Sequence, residues 1–114
     1  MRAIIGVVAV GALLASACGS STSPASSCGS SGANANVNTA SSNSFSPNTA
    51  TITHGQTVCW QNSSSVAHTV TDNGGAFDTS LPVGQIFLHT YPTAGTYAYH
   101  CTIHAGMTGS ITVN

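Results

Sequence analysis

Charged side chains are almost absent from this sequence. Arg2 is the only Lys or Arg, and Asp72 and Asp78 are the only acidic residues among 114. Proteins that bind nucleic acid neutralise phosphates with several Lys and Arg side chains. A chain with one basic residue cannot do this, so nucleic-acid binding is excluded. Docking that is steered by strong opposite charge is not expected either.

The sequence also lacks an apolar run long enough to span a membrane as a helix. The run Ala3–Leu14 follows the single basic residue Arg2, and it is shorter than the roughly 20 residues that a span needs. The small residues Ala15–Ala17 come next, and then Cys18. A basic start, a short apolar run and small residues before a cleavage point predict a secretory signal over residues 1–17. We therefore expect export, to the periplasm in a bacterium.

The end of this segment resembles a bacterial lipoprotein signal. Leu14–Cys18 reads Leu-Ala-Ser-Ala-Cys, and the resemblance implies a lipid on Cys18, which becomes the first residue of the mature chain. A diacylated cysteine anchors a protein stably to a membrane. Ala15 departs from the pattern, since such signals most often carry Leu there. Cleavage after Ala17 without lipidation, which leaves a free terminal thiol, is the alternative.

Residues 18–36 carry too few apolar side chains to form a core. After Cys18 they are nearly all Ser, Gly, Ala, Asn and Thr, with one Pro and a second cysteine, Cys28. This composition predicts a flexible linker, which tethers a small domain to a membrane. A low-complexity tail without that role is the alternative.

From Val37 to Asn114 the chain shows short alternating apolar runs and no stretch with a helical period. Residues typical of turns, chiefly Gly, Pro and Asn, separate the runs. The runs predict strands over Thr49–Thr53, Thr57–Asn62, Val66–Thr71, Gln85–Tyr91, Thr96–Cys101 and Ser110–Val113. Six or seven short strands at this spacing predict one all-β domain over residues 37–114, an antiparallel β-sandwich. Strand alternation places Val58 and Trp60 on one face and Cys59 on the other.

The stretch Tyr99–Gly109 concentrates side chains that bind soft metals. It contains a thiol at Cys101, an imidazole at His104 and a thioether at Met107, and a further imidazole, His68, precedes it. Two His, one Cys and a weak axial Met form the ligand set of blue-copper sites. Thiolate and thioether suit Cu(I), and imidazole suits both Cu(I) and Cu(II). Zinc also accepts sulfur and nitrogen ligands, but it makes no use of a thioether, so Met107 favours copper.

Residues 37–114 resemble the cupredoxin (type 1 blue-copper) family, in particular its plastocyanin-like and amicyanin-like members. The spacing of the ligand loop, C-x2-H-x2-M, is the short one of amicyanin. The matching elements are Phe45-Ser46-Pro47, Gly55-Gln56-Thr57-Val58, Trp60-Gln61-Asn62, Ala67-His68-Thr69-Val70, Phe77-Asp78, Tyr91-Pro92 with Gly95-Thr96-Tyr97, Tyr99-His100-Cys101 and His104 with Met107-Thr108-Gly109. The resemblance implies a Greek-key sandwich of about seven or eight strands.

The resemblance also implies a function. One copper ion, cycling between Cu(I) and Cu(II), is expected on His68, Cys101, His104 and Met107. His104 is expected to be the electron port, inside an apolar patch where redox partners dock weakly. Such a protein is an electron carrier and not an enzyme, and we expect a monomer. A copper carrier or storage module is the alternative function, and a sandwich that has lost its metal is a third, which the four intact ligand positions disfavour.

The remaining candidate residues lie around these ligands. Thr69 and Thr102 are expected to hold the two ligand-bearing segments together. The other histidines, His54, His89 and His100, are not assigned to copper. If Cys18 carries lipid and Cys101 binds copper, Cys28 and Cys59 remain, and in an exported protein they are expected to form a disulfide. Two unpaired thiols are the alternative.

Overall fold

Nine short strands in two sheets make up the domain. The structure is a computed structural model that describes residues 27–40 and 42–114. A 3₁₀ turn at Cys28–Ser30 precedes the strands β1 (Ala35–Ala40), β2 (Ser44–Ser46), β3 (Thr49–Ile52), β4 (Thr57–Asn62), β5 (His68–Asp72), β6 (Asp78–Leu81), β7 (Ile86–Thr90), β8 (Gly95–His100) and β9 (Thr108–Val113). Among these residues no helix has the length and hydropathy to cross a bilayer.

The two sheets pack face to face. One has the strand order β2-β1-β4-β7 and the other has the order β3-β9-β8-β5-β6. Most neighbours are antiparallel, but β1 pairs with β4 and β3 pairs with β9 in parallel. A parallel pair needs a connection that crosses over, so the chain passes repeatedly from one sheet to the other. The predicted all-β sandwich is confirmed, with nine strands and these two parallel pairs that the sequence pattern did not indicate.

All six strands expected from alternation are present. Thr57–Asn62 matches at both ends, and the other five differ by one or two residues at one or both ends. The strands that the pattern did not predict are β1, β2 and β6. Their residues are mostly small and polar, and β2 has only three, so neither hydrophobic alternation nor length distinguishes them from loops. The expected domain start at Val37 falls inside β1.

Aromatic side chains fill the core between the sheets. Trp60 is fully buried, and its indole packs edge-on against Tyr99 and stacks on Phe87, with ring centroids 5.4 and 5.5 Å apart. Tyr99 also packs against Phe45 at 4.7 Å. Gly109 on β9 leaves room for the Tyr99 ring, since a Cβ there would lie 2.5 Å from the ring. Val58 and Trp60 share one face of β4, as expected, and both belong to the core cluster.

The opposite face of β4 carries a covalent link to the residues before β1. Cys59 is fully buried and forms a disulfide with Cys28 in the 3₁₀ turn. The backbone N–H of Cys28 also donates to the Gln61 side chain at 2.8 Å. Residues 27–34 are therefore fastened to the outer face of the four-stranded sheet, which buries Cys59. The predicted signal (1–17) and the lipidation site Cys18 lie outside the described residues.

Candidate metal centre

Three of the four predicted ligands meet at one end of the sandwich. His68 is the first residue of β5, Cys101 directly follows β8, and His104 lies in the loop between β8 and β9. Their ligand atoms all lie within 4.8 Å of one another. His68 and Cys101 are buried, whereas His104 is half-buried. The pairing of β5 with β8 brings the two sequence-distant ligands together.

The separations of these ligand atoms fit a single metal ion. Cys101 Sγ lies 3.9 Å from His68 Nδ1 and 3.6 Å from His104 Nδ1. Metal–sulfur and metal–nitrogen bonds of about 2.3 and 2.0 Å, opened at 120°, place sulfur and nitrogen roughly 3.7 Å apart. The donors thus surround a space of the right size for one ion, with the Nδ1 atom of each imidazole turned inwards.

Met107 closes the loop that carries Cys101 and His104. The Cys101 N–H donates to the Met107 carbonyl at 2.9 Å, and the Met107 N–H donates to the His104 carbonyl at 3.3 Å. Gly106 adopts φ +80°, a left-handed conformation that glycine adopts without strain. This turn folds the loop back, and the Met107 side chain is buried in the same core cluster as Cys101.

The surroundings of Cys101 favour its thiolate form. Burial alone raises the pKa of the thiol. Hydrogen bonds to Sγ, led by those from the backbone N–H groups of Thr69 and Ile103, outweigh burial and lower the pKa to about 7. The Thr69 N–H lies 3.4 Å from Sγ. The thiolate is the form that binds metals, so the protein prepares this ligand before a metal arrives.

Two threonines join the segments that carry His68 and Cys101. The Thr102 N–H donates to Thr69 Oγ1 at 2.8 Å, and the two hydroxyl oxygens lie 3.2 Å apart. This is the contact that the sequence predicted for the pair. It fixes the distance between β5 and the start of the ligand loop.

A second set of polar contacts on the far side of His68 was not predicted. His68 Nε2 lies 3.0 Å from Ser64 Oγ, and Ser64 in turn contacts the fully buried Asn62. Ser64 is one of three consecutive serines, and nothing in the sequence distinguishes it from the other two. Asn62 was recognised only as part of a matching element. The place of Asn62 at the end of the element Trp60-Gln61-Asn62 was the only signal in the sequence for this network.

The other histidines lie elsewhere. His54 is exposed, and its Nδ1 lies 3.0 Å from the Asn114 carbonyl. His100 Nδ1 lies 2.6 Å from Asn73 Oδ1. His89 packs among aromatic rings, with Phe77 at 4.6 Å, and burial lowers its pKa despite the opposing effect of Asp72.

Comparison with known proteins identifies the family to which this chain belongs. Residues 33–114 match the model of a family described as copper binding proteins, plastocyanin/azurin family. This chain is a member of that family. The match covers all nine strands, leaves out only the 3₁₀ turn among the described elements, and contains all four predicted ligands.

Curated cupredoxins support this membership at the sequence level. Plastocyanin from Scenedesmus fuscus is 35% identical in an alignment of 83 residues, and the match covers 60% of this chain and 85% of that protein. Chloroplastic plastocyanin from Oryza sativa subsp. indica is 31% identical over 84 residues, or 61% of this chain. The match spans about half the length of the rice protein, 54%.

Solved cupredoxin structures support it at the level of the fold. A reduced amicyanin variant superposes with a TM-score of 0.70 at 30% identity, over 82% of this chain and 94% of that chain. A purple cupredoxin from Nitrosopumilus maritimus superposes with a TM-score of 0.66 at 28% identity, over 71% of this chain and all of its own. Copper is accordingly the metal of this cupredoxin, and the thiolate and two imidazoles that meet here suit it.

Proposed function

We propose that this cupredoxin is a one-electron carrier whose copper ion is held by His68, Cys101, His104 and Met107. A bound copper ion accepts and releases a single electron. The observation that carries the proposal is the convergence of one thiolate and two imidazoles on a common point, beside a buried thioether. The chain holds the donors in place before metal binding, through the closed loop and the Thr69–Thr102 contacts. Rigid donors lower the reorganisation that accompanies each transfer.

The surface around His104 supplies the docking site in this proposal. Four large apolar side chains are exposed among the described residues, and three belong to loops beside the metal centre: Val66, Val83 and Ile103. Ile103 adjoins His104 in sequence, and Val66 is two residues from His68. The loop of Val83 is joined to Asn62 by a hydrogen bond from Gly84 at 2.9 Å. We infer that redox partners contact this apolar patch, and that His104, the more exposed imidazole, is the electron port.

The alternative of copper delivery receives less support from the site. A protein that hands over copper presents exposed ligands, whereas Cys101 and Met107 are 4% and 2% exposed. Only the His104 side offers access. The buried thiolate is suited to keeping copper while electrons pass, so electron transfer is the function that we favour.

The proposal includes export and a membrane tether. The disulfide Cys28–Cys59 fits an oxidising compartment outside the cytoplasm, and the apolar run Ala3–Leu14 with Cys18 fits a lipoprotein signal. We propose that residues 1–17 are removed, that Cys18 carries lipid, and that the domain acts as a monomer, tethered by the part of the predicted linker that precedes the Cys28–Cys59 disulfide. Mass spectrometry of the mature protein from membranes tests this, and an unlipidated terminus would contradict the tether.

A reductive titration tests the electron-carrier proposal directly. The copper-loaded protein is titrated with a one-electron reductant and reoxidised, and bound copper is measured before and after. We expect one electron per copper ion, full reversibility and no loss of metal. Release of copper on reduction to a competing Cu(I) chelator, faster than reoxidation, would favour the delivery function instead.

A further inference from the structure

The hydrogen bonds around His68 continue away from the metal centre into a buried network. His68 Nε2 contacts Ser64 Oγ at 3.0 Å, and Ser64 Oγ lies 2.7 Å from Asn62 Oδ1. Thr39 Oγ1 donates to the same Asn62 oxygen at 2.9 Å. Asn62 is fully buried and His68 is 1% exposed, and Ser64, which links them, is half-buried.

The orientation of the Asn62 side chain is fixed by its donors. Its Nδ2 lies 2.8 Å from the carbonyl oxygens of Val66 and Leu81, so both amide hydrogens are used. Asn62 Oδ1 is therefore the atom that faces Ser64, and it can only accept. It also accepts the backbone N–H of Ser64 at 2.9 Å.

This orientation determines where the Ser64 proton goes. Ser64 Oγ has one hydrogen and two oxygen acceptors nearby, Asn62 Oδ1 at 2.7 Å and the Val66 carbonyl at 3.0 Å. If the hydroxyl donated to His68 instead, no hydrogen would lie between Ser64 Oγ and either of these two oxygens, and the lone pairs would repel at 2.7 and 3.0 Å. The hydroxyl therefore donates within the loop, with Asn62 as the nearer acceptor, and its lone pair accepts from His68 Nε2–H.

We propose that Ser64, held by Asn62, is a positioning residue that fixes His68 as the Nε2–H tautomer with Nδ1 free for the metal. A neutral imidazole carries one hydrogen, so a hydrogen on Nε2 leaves a lone pair on Nδ1. The competing tautomer would direct an Nδ1 hydrogen at Cys101 Sγ over 3.9 Å, which is a long hydrogen bond even for sulfur. The 3.0 Å contact of Nε2 with Ser64 Oγ is the better one. The role of this tautomer in metal binding rests on the proposed copper ligation. The tautomer itself is a property of the metal-free protein.

Nuclear magnetic resonance of the metal-free protein tests the tautomer. Nitrogen-15 spectra at mildly alkaline pH report which ring nitrogen of His68 carries the proton. We expect the wild-type protein to hold the Nε2–H form almost entirely, with a slowly exchanging proton. A predominant Nδ1–H form in the folded wild-type protein would overturn the proposal without reference to any variant.

Three substitutions test whether Ser64 is responsible. Ser64→Ala should give mixed tautomers and weaken copper binding about 10- to 100-fold, as loss of a ligand's outer partner typically does. Ser64→Thr keeps the hydroxyl and should restore both measurements. Ser65→Ala, at an exposed neighbour, is the matched control and should resemble wild type. Affinity is measured by competition with a chelator, and the signals of the core aromatic side chains check the fold.

The outcomes separate this inference from the proposed function. If Ser64→Ala and Ser65→Ala match in tautomer and in copper affinity, the role of Ser64 is wrong while copper ligation stands. If wild-type protein holds the Nε2–H tautomer and forms no copper–thiolate centre, the proposed function fails and the assignment of the tautomer remains.

Discussion

The Cys101 thiol is subject to two opposing influences. Burial disfavours its charged form, and hydrogen bonds from the surrounding backbone favour it more strongly, which leaves a pKa of about 7 against an ordinary 9.0. The metal-free protein therefore holds a substantial thiolate fraction at neutral pH. This arrangement prepares the residue for metal binding, because a ligand that is already deprotonated loses no proton when the ion enters.

This lowered pKa predicts a pH dependence of folding. Between about pH 7 and 9 the folded metal-free chain has released the Cys101 proton and the unfolded chain retains it. The free energy of unfolding should rise with pH across that window by roughly 2–3 kcal/mol, and this gain is lost as pH falls through 7. Urea titrations of the metal-free protein, with the Cys101 thiol unoxidised and the Cys28–Cys59 disulfide intact, measure this rise. Cys101→Ser should abolish the rise, and an equal rise in that variant would contradict the assignment.

At the scale of single residues, the sequence predicted the metal ligands but not the residues that hydrogen-bond to them. Cys101, His104 and Met107 stand at a diagnostic spacing within one short stretch. Ser64 and Asn62 act through contacts across a loop, and their residue types are common in any turn, so no spacing reveals them. A hydroxyl that fixes a tautomer becomes recognisable only when its distance to the ring is known.

Among the elements, the 3₁₀ turn Cys28–Ser30 owes its attachment to the disulfide with Cys59. The two cysteines are 31 residues apart, and closing a loop of that length removes entropy from the unfolded chain worth about 3.7 kcal/mol. The double variant Cys28→Ser/Cys59→Ser should therefore lose about 3–4 kcal/mol of unfolding free energy. Urea titration measures the loss. A change below about 1 kcal/mol would show that the link contributes little.

The ligand loop depends on the conformation of Gly106. Its φ of +80° is the same as that of Gly32, which lies in a turn remote from the metal centre, and neither position would place a Cβ within 4 Å of another residue. Gly106→Ala and Gly32→Ala should each cost about 1–2 kcal/mol through backbone strain. Only Gly106→Ala should shift the visible spectrum of the copper-loaded protein. If the two variants have the same spectrum, the loop conformation does not control the site.

The strands show where sequence patterns are sufficient and where they are not. In β4 the apolar residues Val58 and Trp60 alternate with other residues, and in β8 Tyr97 and Tyr99 do, so the strands and the sides that face the core follow from the pattern. β1 is built from Ala, Asn, Val and Thr, and it is a strand because β2 and β4 pair with its two sides. Such tertiary pairing has no local signal.

At the scale of the whole molecule, exposed charge is scarce among the described residues. Asp72 is buried, and its carboxylate accepts the backbone N–H groups of Gly74 and Ala76 at 3.1 and 3.0 Å. Asp78 is thus the only exposed acidic side chain among the described residues, and Arg2 lies outside them. We therefore propose that partners are recognised through shape and apolar contact around His104.

Electron exchange should therefore respond weakly to salt. We expect rate constants to change by less than about twofold between low and high ionic strength, since screening has almost nothing to act upon. Two measurements test this: stopped-flow kinetics with a second redox protein, and the rate of electron self-exchange between copies of this protein. A steep dependence would contradict docking at an apolar patch.

Two charge insertions locate the patch. Ile103→Glu places a carboxylate beside His104 and should slow electron exchange. Leu88→Glu is the matched control, because Leu88 is comparably exposed but pairs with Cys59 on the disulfide-bearing sheet. Equal effects of the two variants would mean that electrons do not pass at the His104 surface.

The central claim is that Cys101 and two imidazoles bind one copper ion in a type 1 site, and one visible spectrum tests it most directly. The protein is loaded with one equivalent of Cu(II) and its absorption is recorded before and after reduction. We predict an intense blue thiolate-to-copper band that bleaches on reduction, returns on oxidation and is absent from Cys101→Ser. A colourless loaded protein, or a band that persists in Cys101→Ser, would contradict the claim.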